Sequence, residues 1–140
     1  KDLARKGLKI DIGGPAVPAG KYTLQVLDKM AQSADYGPVY ESSVKANIVS
    51  QETDVKSVVT KVQLGEVDAG FVYLTDVTSA VSSKVKMITI PDNFNVIAEY
   101  YIAVTKSSPH ARDAQAFVQY ILSAAGQDVL EKYRFTAANP

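Results

Sequence analysis

The stretch DIGGPAVPAGKYTLQVLDKM, residues 11–30, runs from a strand through a loop of glycine and proline into an amphipathic helix. Just before it, LKIDI (8–12) alternates as a strand does, and Gly13 with Gly14 ends it. After the loop, Tyr22, Val26, Leu27, Met30 and Ala31 share one face of a helix predicted over about 20–32, the spacing of a helix packed on a sheet. A strand that empties through glycines into a helix start gathers unsatisfied backbone N–H groups at one point, and such points accept anions.

The step from strand to helix repeats. ANIVS (46–50) reads as a strand, and a helix over about 54–64 carries Val55, Val58, Val59 and Val62 on one stripe. Thr53 or Asp54 supplies its cap, and Gly65 stops it. AGFVYL (69–74) is a nearly continuous apolar run suited to a strand buried on both faces, and TDVTSAVSS after it opens on Thr75 as a cap. VKMITI (85–90) and VIAEYYIAVT (96–105) read as two more strands joined by PDNF. Ser108 before Pro109 marks a helix start, with Ala114, Phe117, Val118, Ile121 and Leu122 as its apolar stripe, and GQDVLEKY forms a last helix. Alternating strands and helices give an α/β fold: a mostly parallel sheet flanked by helices.

In such sheets ligands sit beyond the carboxyl ends of the strands. Three turns therefore compete for a site, at 13–20, 50–55 and 73–76. In each, two readings stand. Ala19 and Gly20 after Pro18 either let an anion touch backbone N–H groups or make an ordinary turn. Val55 either offers a first-turn donor or is the core residue of a capped helix, and Tyr73 is either a donor at the sheet edge or a buried tyrosine bonded to a carbonyl. Lys21 and Lys56 read as solvated charges.

Composition removes other classes. Fifteen Lys plus Arg balance fifteen Asp plus Glu in 140 residues, with no basic run longer than two, so there is no footprint for nucleic acid or an acidic membrane. The absence of cysteine and the single His110 leave no thiolate chemistry and no imidazole cluster for zinc. No GxGxxG, no GxxxxGK followed by Ser or Thr, and no nucleophile elbow appear. Glu66 with Asp68 reads as a polar loop, and no cofactor and no enzymatic activity are expected.

Four stretches, GGPAVPAGKYTLQVLDKM (13–30), ETDVKSVVTKVQLGEVDAGFVYLTDV (52–77), IPDNFNVIAEYYIAV (90–104) and AFVQYILSAAGQDVLEKYRF (116–135), resemble the second half of the molybdate- and tungstate-binding proteins of ABC importers. VPAG opening a helix, the DV helix start and AGFVYLTDV are its most specific pieces. The resemblance implies one lobe of a type II periplasmic-binding-protein-like fold, residues 1–97 forming the ligand-binding lobe. Residues 98–140 would be a hinge-crossing strand and carboxyl-terminal helices that pack on a first lobe. It further implies an extracytoplasmic importer subunit that docks on the transporter's membrane subunits. A tetrahedral oxyanion, molybdate or tungstate, would be held by neutral donors: the N–H of Ala19, the N–H of Val55 and the hydroxyl of Tyr73.

The family's first lobe adds serine-bearing loops, which are expected to be missing before Lys1, so this chain alone would bind weakly or not at all. The stripe with Phe117, Val118, Ile121 and Leu122 is then expected to fold back on this domain or to be buried in a dimer. Arg134 stands where the family often has a glycine closing the last helix. Two further readings keep the fold and change the role: an effector-binding domain of a transcription regulator, or a binding protein for sulfate, phosphate or an organic anion. A phosphate-handling enzyme would need an acid, base or metal ligand that the turns lack.

Overall fold

A computed structural model describes residues 1–138, and the chain divides into two units, Lys1–Ala98 and Glu99–Pro140. The first holds a sheet of three parallel strands, β1 (Ile10–Gly13), β2 (Ile48–Glu52) and β3 (Ala69–Gly70), in the order β2-β1-β3. Helices α1 (Pro18–Ala31) and α2 (Gly37–Ala46) connect β1 to β2, and α3 (Val55–Leu64) connects β2 to β3.

Alternation along β1 sorts the layers. Ile10 and Ile12 join Leu27 of α1 and Val44 of α2 in one buried cluster. Asp11 points the other way, pairing in register with Ser50 and Gly70, and that face is covered by α3. Gly70 is glycine for a packing reason: a Cβ there would come within 2.6 Å of Val58 Cγ1, a side chain that is itself fully buried. The chain moves from β1 to β2 in one direction and from β2 to β3 in the other, so a common crossover hand requires helices on opposite faces.

Two ties fix α1 and β1. A Cβ on Gly20 would lie 2.0 Å from the Gly13 carbonyl oxygen and 2.7 Å from that of Gly14, so backbone meets backbone directly. At the other end of β1, the Lys9 N–H donates to the Asp68 carboxylate at 2.8 Å, which sets the register of β3. Asp68 thus has a tying role that a polar-loop reading misses.

Several expectations change. Neither 85–90 nor 96–105 is a strand. A strand needs a neighbouring strand with which to share its hydrogen bonds, and the sheet ends at β3. Ile88, Ile97 and Tyr101 are accordingly exposed. What holds this region is Phe94, buried against Val26 and Met30 and meeting the Tyr36 ring edge-on at 5.3 Å. The third strand stops at Gly70 and is only half-buried, because it is an edge strand. Thr75 caps nothing; it lies inside a 3₁₀ turn, Leu74–Asp76, and Thr78 instead caps the short helix α4 (Ser79–Ser82) by accepting from the Val81 N–H.

The second unit contains α5 (Ala111–Leu122) and α6 (Ala124–Lys132), which pack together. α5 begins after His110 rather than at Pro109, because Ser108 Oγ accepts the His110 N–H in a local turn. Along its stripe Phe117 and Leu122 are exposed, while Ala114, Val118 and Ile121 are half-buried. Arg134 adopts φ of 67°, so arginine supplies the left-handed residue that usually falls to glycine. The bonds from Arg134 N–H to the Glu131 carbonyl and from Phe135 N–H to the Leu130 carbonyl close α6 around it.

The Gly13–Gly20 contact predicts that Gly20→Ala lowers the stability of the first unit by about 2–4 kcal/mol, since the added methyl meets only backbone. Chemical denaturation measures this, and an unchanged midpoint would mean that α1 moves off β1 freely.

Candidate functional site

Because the strands are parallel, the turns after β1, β2 and β3 all leave the same edge of the sheet. The chain goes to one face after β1 and to the other after β2, so helices on both faces of the sheet begin at this edge. The Gly14 N–H donates to the Glu52 carbonyl at 2.7 Å and ties the ends of β1 and β2 together. Ala19 lies near the start of α1 and Val55 at the start of α3, the helices that follow those two strands. Tyr73 stands beyond β3, at the entrance to the 3₁₀ turn.

The start of α1 is built without a side-chain cap. Val17 holds the cap position and its side chain has no acceptor to offer, and Pro18 has no N–H. The next N–H groups divide: those of Gly20 and Lys21 reach the Val17 carbonyl, whereas among the described residues the Ala19 N–H has no intramolecular acceptor. Ala19 is nonetheless 5% exposed. A donor of this kind in a buried helix start calls for an acceptor from outside.

At α3 the cap is Asp54, and Thr53 takes no part. The Asp54 carboxylate accepts from the Ser57 N–H at 2.9 Å and from its hydroxyl at 3.0 Å. Those two bonds hold the carboxyl below its usual range, so it is ionised at neutral pH. Among the described residues the Val55 N–H has no intramolecular acceptor, yet a negative charge sits one residue away. This charge at the helix start is the strongest electrostatic objection to an anion at Val55, and only the choice of cap reveals it.

Tyr73 is half-buried and held from two sides. Its N–H donates to the Asp76 carboxylate at 3.1 Å, and its ring meets the edge of Tyr22 of α1, centroids 6.4 Å apart. Burial raises the Asp76 carboxyl, with the Tyr73 N–H acting against that shift. Sequence reasoning misses Tyr22 and Asp76, since periodicity marks the one only as helix face and the other only as turn. Lys21 and Lys56 are exposed, as is His110. Among the described residues no group of three or more His, Asp or Glu is placed to hold a metal, and no helix is long and apolar enough to cross a membrane. Among the described residues the three turns present the N–H groups of Ala19 and Val55 and the phenol of Tyr73, with the Asp54 and Asp76 carboxylates beside two of them.

Residues 1–136 match the family model described as bacterial extracellular solute-binding protein. The chain is 34% identical over 134 residues to the molybdate-binding protein ModA of Mycobacterium tuberculosis, an alignment covering 96% of this chain and 46% of that protein. It is 36% identical over 132 residues to a putative ABC transporter substrate-binding lipoprotein, YvgL, of Bacillus subtilis, covering 92% and 46%. Among solved structures, the substrate binding domain of a putative molybdenum ABC transporter from Clostridium difficile superposes with a TM-score of 0.75 at 29% identity, covering 99% of this chain and 57% of that one. The chain thus spans about half the length of the relatives it matches. The relatives are substrate-binding proteins rather than enzymes. On fold, coverage and identity together, this chain belongs to the bacterial extracellular solute-binding protein family.

Proposed function

We propose that this chain supplies one of two lobes of an extracytoplasmic solute-binding subunit of an ABC importer. The bound solute is a tetrahedral oxyanion, molybdate or tungstate, held by the N–H groups of Ala19 and Val55 and the hydroxyl of Tyr73. The observation that supports this reading is the pair of helix-start donors, at Ala19 and Val55, left without intramolecular acceptors among the described residues at the helix starts that follow β1 and β2. Support from outside the chain is the molybdate named for the mycobacterial relative and the molybdenum transporter named for the structural neighbour.

The physics favours a small dianion of fixed shape. Backbone N–H groups at helix starts are already aimed and carry the helix's partial positive charge. Since the donors are neutral, fit to the oxygens decides what stays. A smaller anion leaves a buried donor out of reach, which costs about 1–3 kcal/mol per group. On this reading the exposed side chains of α5, Phe117 and Leu122, pack on the first lobe, and the closed pair of lobes docks on the transporter's membrane subunits.

Two substitutions test the donors in the full two-lobed protein. Val55→Pro removes one N–H where proline is tolerated, at the first helical position behind an Asp54 already extended at φ −154°, ψ 160°. Tyr73→Phe removes one hydroxyl. Each is expected to weaken molybdate binding by calorimetry about 10- to 100-fold, the loss of one hydrogen bond to a charged group, with helix content unchanged. Wild-type affinity in both would refute the assignment.

Asp54→Ser keeps a cap and removes the charge. It is expected to tighten molybdate binding about three- to tenfold at low salt, with the gap closing as salt is added. A variant with weaker binding would show that Asp54 helps the anion rather than opposing it.

A further inference from the structure

Under α3, on the sheet face away from α1 and α2, Asp11 is fully buried and neither of its carboxylate oxygens has a hydrogen-bond partner among the described residues. The charged groups facing it are few. From β2 comes Glu52, and from α3 comes Lys61; β3 contributes Ala69 and Gly70, which do not titrate. Lys61 is already engaged: its ammonium donates to Ser50 Oγ at 2.8 Å and to Glu52 Oε1 at 2.5 Å, while the Ser50 hydroxyl also donates to Glu52 Oε1. Glu66, exposed after α3, adds a more distant negative charge acting on Lys61.

The count of charge decides the state. Lys61 is bonded to Glu52, so an ionised Asp11 would place a second negative charge in the same interface to share that one lysine, and no donor is bonded to either of its oxygens. A buried carboxylate without a partner is far more costly than a buried neutral acid. We propose that Asp11 is a proton-binding site beneath α3: the folded protein holds it as the neutral acid at mildly acidic pH, and raising the pH loosens the seat of α3 on the sheet. Burial foremost, and then the Glu52 charge, raise the Asp11 carboxyl, and the Lys61 charge and the neighbouring Ile12 N–H offset only part of this.

The sign follows. A carboxyl raised by folding favours the folded state while it keeps its proton, so the contribution is complete below the unfolded value of 3.8 and is lost as the pH rises through the folded value. Asp11→Asn keeps the shape and cannot ionise. Asp54 titrates in both proteins and cancels in the difference between them, whereas Glu52 is coupled to Asp11 and its response to the lost charge is part of that difference.

The test compares the full chain with its Asp11→Asn variant by chemical denaturation between about pH 4 and pH 8. The variant's midpoint is expected to exceed the wild type's at the upper end and to meet it at the lower end. A difference that does not change with pH, or a variant that is less stable at the upper end, overturns the proposal. Should the variant fail to fold, carbon-13 NMR of the wild-type side-chain carboxyls decides. The Asp11 carboxyl carbon is expected to titrate above the ordinary aspartate range, and titration within that range overturns the proposal.

Discussion

Parallel pairing of β1 with both of its neighbours is the constraint from which the rest follows. It sends every strand toward the same edge, so that α1 and α3 both begin there. It also makes β1 the place where the chain changes faces, the point near which open parallel sheets commonly take their ligands. Slipping β1 by one residue would bury the other set of side chains: Ile10 and Ile12 would leave the Leu27–Val44 cluster and Asp11 would enter it. The register is held at one end by Asp68 on the Lys9 N–H and at the other by the Gly14 N–H on the Glu52 carbonyl.

Charge is arranged sparingly around this frame. The α1 start has donors and no acid, because a valine and a proline occupy the cap and first position. The α3 start has a donor and an acid together. An anion bridging the two starts would meet attraction at Ala19 and opposition at Asp54, so its affinity would be set by donor geometry more than by net charge. Beneath α3 the same economy recurs: one lysine, Lys61, serves a pair of acids, Glu52 and Asp11.

Much of this was legible in the sequence, and the losses have physical causes. The helices α1 and α3 and their strands announce themselves through the 3.6-residue stripe meeting the two-residue alternation, with glycines between. The segments 85–90 and 96–105 carry the same alternation and are not strands. Periodicity reports which faces of a segment are apolar, and says nothing about whether a neighbouring strand is present. Thr53 and Asp54 are equally good caps on paper; the choice fell to the residue whose carboxylate reaches Ser57. Arg134 shows the reverse, a left-handed position that composition alone argues against. Asp11 was visible as a lone acid inside LKIDI, but alternation there assigns a face, and only α3 packing on that face makes the acid buried. The three turns were legible as candidates, while Tyr22 and Asp76, which hold Tyr73, required the fold.

The most direct measurement is an amide proton–nitrogen NMR titration of the full two-lobed protein with molybdate. The Ala19 and Val55 amide protons should move downfield together and saturate at the same molybdate concentration, the response of two donors gripping one anion. If both resonances stay in place while molybdate binds, the anion sits elsewhere and the helix starts after β1 and β2 are not the site.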